Sequence, residues 1–373
     1  MNINSVENCS GCLLCKEVCP KKCISIQKDK LGHMHPLINS ELCIDCGVCA
    51  KLCPEMSPVE LHEIKDVYAG WAMNTVSREK SSSGGAATII SQQFINDGGV
   101  VYGSAFVPPF SFEHVRCSDI QSLERLRGSK YVQSDTSNCW GQLRTDLKNG
   151  LKVLFIGTPC QVAAAKRIFK NTDNLYTIDL ICHGVPSVEI LERSLPRGLK
   201  KEDIASITFR EGTRYTFKVT NKENKIIYSR PLTRNWYMKG FFTSLYYRNS
   251  CYNCKYANGK RAGDITLGDF WGIQENNFAE EEKKGISAII INSEKGKRLL
   301  TTIKGTMYLI KRDINEVRKN NKPLNQPSKK SFRYNVFKSL ANIIGVNNAI
   351  KFSLPEIATK SIIKRILRNK QEI

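Results

Sequence analysis

The sequence predicts three parts: a small cysteine-rich α+β unit, a larger α/β unit with parallel strands, and a basic helical C-terminal region. Three observations carry this. Two matching four-cysteine runs lie within the first sixty residues. Strand-like apolar segments then alternate with helix-like ones, the pattern of a sheet covered by crossover helices. From Lys297 to Ile373 there are 18 Lys/Arg against 4 Asp/Glu, in a chain of net charge +21.

A length of 373 residues implies more than one domain, and the expected boundaries are 1–62, 63–295 and 296–373. Hydrophobic content of 41% supports a folded core. No apolar run reaches the length of a membrane span, and MNINSVENCSGC has no basic flank before an apolar stretch. The expected location is therefore cytoplasmic. Cysteines in a reducing compartment serve as metal ligands or catalytic groups more often than as disulfides. Their odd number, 15, argues against a fully paired scaffold.

In the first unit, Cys9, Cys12, Cys15 and Cys19 form C-x2-C-x2-C-x3-C before Pro20. Cys43, Cys46, Cys49 and Cys53 repeat the run before Pro54. This duplication is the signature of bacterial two-cluster ferredoxins, in which the fourth thiolate of each run reaches the other cluster. One [4Fe-4S] cluster is expected on Cys9, Cys12, Cys15 and Cys53, the other on Cys43, Cys46, Cys49 and Cys19. Zinc is the competing ligand set. Cys23 is read as packing.

Beyond Met56, residues 87–97, 139–150 and 160–170 read as helices, and 98–106, 151–157 and 175–181 as strands. "GTPC" (157–160) and "CHGVP" (182–186) fall at strand ends, where α/β folds hold ligands. Neighbouring strand ends would bring Cys160 and Cys182 to one crevice. Cys251 and Cys254 add a C-x2-C pair among glycines. The four thiols are expected to hold a third [4Fe-4S] cluster. Zinc and unligated cysteines stay open, and joining the two pairs is an inference beyond spacing. Cys117 and Cys139 lack ligand spacing and are expected to be buried.

These segments also carry a family likeness. "SSSGG" (81–85), "RGSKYVQS" (127–134), "GTPCQ" (157–161), "DLICHGVPS" (179–187), "CYNCKYANGKRAGDITLGDFWG" (251–272) and "KGISAIIIN" (284–292) occur in family order. Together they make the chain resemble the beta subunit of coenzyme F420 hydrogenase/dehydrogenase, in the bacterial form with a fused ferredoxin domain. The resemblance implies FAD beside an iron-sulfur cluster, with electrons moving between clusters, flavin and an organic two-electron substrate. It also implies a setting in surface-polysaccharide biosynthesis. The fold class becomes an α+β ferredoxin-like two-cluster domain fused to an α/β flavin- and iron-sulfur-binding domain, with a basic helical C-terminal region.

On that resemblance, Ser82, Ser83, Gly84 and Gly85 at a helix start are expected to meet the flavin pyrophosphate, since helix N-termini favour anions. Serine N-capping is the competing reading. Lys130 is expected to neutralise phosphate or a reduced flavin, and His183 to relay protons. Tyr131, Gln133, Ser134, Thr158, Gln161 and Asp269 complete the expected cofactor site, with Trp271 at its border. A flavin joins one-electron clusters to two-electron chemistry.

Expected partners are a redox protein or reduced ferredoxin and a small-molecule substrate. A non-catalytic electron-transfer subunit is the alternative. No aromatic-interleaved basic motif points to specific nucleic-acid binding. "NNKPLNQPSKK" (320–330) reads as a linker. Residues 356–370 read as a basic amphipathic helix, with Ile362, Ile363, Ile366 and Leu367 on one face. Such a helix either covers its own domain or lies peripherally on the inner face of a membrane.

Overall fold

The computed structural model describes residues 3, 6, 8–170, 172–273 and 278–360. The first unit contains α1 (Leu14–Val18), β1 (Ile24–Lys28), β2 (Met34–Ile38) and α2 (Val48–Lys51), with β1 and β2 antiparallel. The internal repeat is visible in the backbone. Gly11 and Leu13 take positive φ in the first cysteine run, and Asp45 and Gly47 do so at the matching positions of the second. Each of the two short helices starts directly after such a left-handed residue, Leu13 for α1 and Gly47 for α2.

The body continues with β3 (Asp66–Ala72), α3 (Thr75–Glu79), α4 (Ala86–Asn96), β4 (Val100–Val107) and β5 (Ser111–Cys117). Next come α5 (Cys139–Lys148), β6 (Val153–Gly157), α6 (Pro159–Ile168), β7 (Leu175–Leu180) and α7 (Val188–Ser194). A separate antiparallel sheet, β8 (Ile204–Thr208), β9 (Thr216–Asn221) and β10 (Ile226–Pro231), precedes α8 (Trp236–Phe242). The chain then forms β11 (Ile265–Asp269), α9 (Ala279–Lys284), β12 (Ser287–Ile291), α10 (Glu294–Thr302), β13 (Met307–Lys311) and α11 (Ile314–Asn320). It closes with α12 (Arg333–Leu340) and α13 (Val346–Ser353).

The main sheet has eight strands in the order β13-β3-β12-β11-β7-β6-β4-β5. Its centre, β11-β7-β6-β4, is parallel, as the alternating pattern predicts, and antiparallel strands extend both sides. The sheet is therefore mixed. Strand β6 explains the layering: Val153 and Phe155 pack with α5 and α6, while Leu154 and Ile156 join α4 and α10 on the opposite face. Successive residues of a strand point to opposite faces, so a continuous apolar strand buries both.

The sheet runs past residue 295, because β13 pairs with β3 from Met307↔Ala72 to Lys311↔Tyr68. The basic C-terminal region also packs into the body. Tyr334, Phe337, Val346, Ala349, Ile350 and Leu354 are buried with β8, β9, α7 and α8 in one core. Within the linker 320–330, Ser328 donates to the backbone oxygen of His183 at 2.6 Å. Most of the expected amphipathic helix, residues 361–370, lies outside the described residues. No helix among those described is long and apolar enough to cross a membrane.

Candidate functional site

The eight N-terminal cysteines separate into two sets. Cys19, Cys43, Cys46 and Cys49 line a small cavity at the surface, and Cys46 is exposed. Cys9, Cys12, Cys15 and Cys53 lie further in, close enough that charge on Cys9 or Cys53 raises the Cys12 and Cys15 thiols beyond what burial does. The structure thus groups the eight cysteines as crossed run spacing pairs them. Cys23, read as packing, is buried with its sulfur 3.4 Å from that of Cys19.

The body grips the inner set through backbone carbonyls. Cys12 O accepts from Thr136 Oγ1 at 2.7 Å and Trp140 Nε1 at 3.1 Å. Lys255 Nζ reaches Pro54 O at 2.7 Å. Arg248, buried with 1% exposure, donates Nε to Cys9 O at 2.6 Å and Nη2 to Cys9 Sγ at 3.6 Å. Burial pushes the Cys9 thiol up, but the His35 ring, the Arg248 guanidinium and the Gly11 N–H outweigh it and leave the thiol below its ordinary range.

Cys160, Cys182, Cys251 and Cys254 line one cavity, together with Ser10 and Glu55 from beside the inner set. Topology brings them together. Parallel β6 and β7 end side by side, placing Cys160 in the first turn of α6 and Cys182 two residues past β7. A 3-10 turn, Asn249–Asn253, carries Cys251 and leads into Cys254. Thr158 caps α6 and Pro159 begins it, with Gln161 Oε1 accepting from the Thr158 N–H at 3.0 Å in a capping box. That cap fixes Cys160 in the first turn of α6, not on the loop before it.

A buried ion pair locks the loops of Cys182 and Cys254. Asp179, at the end of β7, accepts from Arg261 Nη2 at 2.8 Å, Thr266 Oγ1 at 2.6 Å and the N–H groups of Ala262 and Gly263. Arg261 also donates to Leu180 O at 3.1 Å and Tyr256 O at 3.4 Å, two residues from Cys182 and Cys254. With Asp179 at 0% and Arg261 at 1% exposure, the network is dry and its many donors and acceptors are paired.

Burial pushes the Cys160, Cys182, Cys251 and Cys254 thiols up, Cys251 to about 12; neighbouring thiolates add to the rise at Cys160, Cys182 and Cys251, and Glu55 adds to it at Cys254. Four such thiols carry negative charge only beside a cation, which is the donor chemistry of a metal group that deprotonates its ligands. Among the described residues no three His, Cys, Asp or Glu side chains converge around a single ion. That holds for the eight N-terminal cysteines and these four alike. Four cysteine thiols around one cavity are a donor set that suits a [4Fe-4S] cluster, and zinc takes the same set.

The thiol cavity shares Thr158, Cys160, Cys182, His183 and Gly184 with a larger cavity of about 350 Å³ over the carboxyl ends of β6, β7 and β11. Of the expected cofactor residues, Ser82, Ser83, Gly85, Lys130, Tyr131, Gln133, Ser134, Thr158, Gln161 and Asp269 line it, as does His183. Gly84 is not among the lining residues. A Cβ there would lie 2.2 Å from Gly70 O and 2.7 Å from Ser287 N, so this glycine serves close packing against β3 and β12. Gly85 has φ +88 and no side-chain cap follows from it, so Ala86 and Ala87 open α4 against the cavity with uncapped N–H groups. That cradle suits an anionic group.

Several lining side chains are committed to the protein itself. Ser83 Oγ donates to Ile286 O at 2.8 Å, and Ser82 Oγ accepts from the Ser129 N–H at 2.8 Å. Gln133 Nε2 reaches Gly11 O in the first unit at 3.2 Å. Gln161 Nε2 donates to Ser134 O at 3.0 Å. Lys130 Nζ is held by Leu126 O at 2.7 Å and Arg127 O at 2.8 Å, and burial pushes its ammonium down to about 7.

Sequence reasoning missed three groups here. Arg210, 4% exposed, forks onto Asp269 at 2.7 and 3.0 Å, with Tyr215 and Trp271 facing its guanidinium at 4.9 and 5.4 Å. His114 donates Nε2–H to Ile156 O at 3.0 Å and accepts from Ser134 Oγ at 2.9 Å, while burial pushes it to about 4, so the ring is neutral. Arg248 is the third.

No curated protein matches the chain. Among solved structures, a chain of the F420-reducing [NiFe] hydrogenase complex from Methanosarcina barkeri is similar, at 16% identity over 79% of this chain and 93% of that one, with TM-score 0.48. A 4Fe-4S dicluster domain matches residues 8–56. The model for the C terminus of the coenzyme F420 hydrogenase/dehydrogenase beta subunit matches residues 150–317, spanning all four body cysteines. With its N-terminal dicluster domain, the chain is thus an iron-sulfur electron-transfer protein related, over residues 150–317, to the coenzyme F420 hydrogenase/dehydrogenase beta subunit.

Proposed function

We propose that this chain is an iron-sulfur flavoprotein oxidoreductase in which three [4Fe-4S] sites lead to FAD in the 350 Å³ cavity, where an organic substrate exchanges two electrons. One observation carries the reading: the four-thiol cavity borders residues flanking Cys9 and Cys53 on one side and shares its wall with the large cavity on the other. The path runs from the exposed set at Cys46, through the inner set, to Cys160, Cys182, Cys251 and Cys254. FAD, when bound, would convert one-electron delivery into two-electron chemistry.

The residues of this chain supply the rest. The α4 N–H groups beside Gly85 would hold the pyrophosphate, with Ser82 and Ser83 shaping the loop. Arg210, Tyr215 and Trp271 form an aromatic and cationic wall at the Asp269 end. His183, exposed at the junction of the two cavities, is positioned to exchange protons with solvent. The substrate is proposed to belong to surface-polysaccharide biosynthesis, following the family resemblance.

The test is anaerobic: the dithionite-reduced chain alone is mixed with candidate two-electron acceptors while flavin and cluster absorbance are followed. Reoxidation with product formation supports the enzyme. Reoxidation only by a partner protein, with no flavin extracted from the denatured chain, would make it a one-electron relay subunit.

A further inference from the structure

The inner and body thiol sets are joined by one side chain. Arg248 opens the turn that carries Cys251: its N–H donates to Val185 O at 2.9 Å and its carbonyl accepts from the Cys251 N–H at 2.9 Å. Its backbone therefore ties the loop after Cys182 to the turn of Cys251. Its guanidinium crosses to the first unit, bonding Cys9 O and Cys9 Sγ, Met34 O at 2.5 Å, and Gln133 Oε1 at 3.2 Å.

Two further features show that the fold is built around this crossing. A Cβ at Gly11 would lie 2.7 Å from Arg248 Cζ and 2.5 Å from Gln133 Nε2, so the first cysteine run approaches as closely as only glycine permits. Among the described residues no carboxylate forms an ion pair with Arg248. The other deeply buried arginines do have one: Arg261 with Asp179, Arg210 with Asp269 and Arg78 with Glu281. Its partners are carbonyls, an amide oxygen and a ligand sulfur. A buried positive charge left unneutralised acts on whatever lies beside it, and weakly screened interiors strengthen that action.

We propose that Arg248 is a positioning residue that raises the reduction potential of the group held by Cys9, Cys12, Cys15 and Cys53 and couples it to the four-thiol site. The inference rests on the electron path proposed above. Each transfer inward oxidises the group at Cys19, Cys43, Cys46 and Cys49 by one electron and reduces the inner group by one, with no bond made or broken. The added negative charge falls beside the guanidinium, which stabilises the reduced form. A cation hydrogen-bonded to a ligand sulfur is a recognised lever on cluster potential.

The experiment is a potentiometric titration followed by electron paramagnetic resonance on full-length, anaerobically purified wild type, Arg248→Gln and Arg248→Lys. Arg248→Gln is expected to move the inner midpoint more negative by about 59 mV or more, a tenfold change for one electron, leaving the outer midpoint in place. Arg248→Lys keeps the charge and should recover at least half of the shift. An unmoved midpoint in Arg248→Gln, equal shifts in both variants, or iron loss from both would overturn the proposal. Should only Arg248→Gln lose iron, Arg248→Lys decides: a midpoint near wild type supports it, a full shift overturns it. Wild type without reducible iron-sulfur signals removes the electron path and this inference together, whereas wild-type signals with unmoved variants remove only the role of Arg248.

Discussion

The N-terminal and body cysteine sets present the same donor atoms but are built in opposite ways. The first eight sit in two short runs whose left-handed turns at Gly11, Leu13, Asp45 and Gly47 wrap the chain locally. The body four come from three distant segments and meet only because β6, β7 and the 249–254 turn are fixed by a completed sheet. A site written in adjacent residues depends on local backbone. A site written in topology depends on buried contacts far from any ligand, and that difference is what mutation should expose.

The largest effect is expected at Asp179. Asp179→Ala leaves Arg261 buried and unpaired, and breaking one side of a buried pair costs about 3–5 kcal/mol. Chemical denaturation should register that loss in the body, and the proposed cluster at the 182 and 254 loops should be lost while the dicluster domain keeps its own. Equal loss of iron from all sites would erase the distinction between the two constructions.

Gly84→Ala should cost about 1–3 kcal/mol through overpacking against Gly70 and Ser287, with flavin affinity falling no further than stability requires. A selective loss of flavin at unchanged stability would return Gly84 to the cofactor site.

Lys130 gives a smaller, pH-dependent effect. Its folded value, about 7, lies below the ordinary 10.5, so between those limits the unfolded chain binds more protons and stability rises with pH. Wild type should gain up to about 1.4 kcal/mol per pH unit relative to Lys130→Met from pH 7 toward 10. Parallel pH profiles would show that the carbonyls of Leu126 and Arg127 keep the ammonium charged throughout.

The smallest effect on the body is expected from Cys46→Ser. Cys46 is exposed, so removing it should abolish the outer cluster and change the body's unfolding free energy by no more than about 0.5 kcal/mol. A large shift would mean that the two constructions stand or fall together.

What the sequence discloses follows the same division. Proline-closed cysteine runs announce themselves by spacing, and the α4, α5, α6, β6 and β7 segments by apolar periodicity, each within a few residues of the observed ends. Cys160 and Cys182 were legible as strand-end residues, because adjacent parallel strands end together. Arg210, Arg248 and Arg261 were not, since their partners Asp269, Cys9 and Asp179 lie 59, 239 and 82 residues away and an isolated arginine has no pattern. Composition marked the basic excess after Lys297 as a region of its own, while Tyr334, Phe337 and Ile350 pack into a core shared with the body. Long basic side chains at the surface say little about what their helix covers.

The most direct measurement is iron, acid-labile sulfide and flavin per chain in anaerobically purified wild type beside Cys182→Ser. Three cubanes give about 12 Fe in the wild type and about 8 Fe in the variant, with FAD in the wild type. About 8 Fe in both would leave the dicluster domain intact and contradict the four-thiol cluster on which the path to the cavity depends.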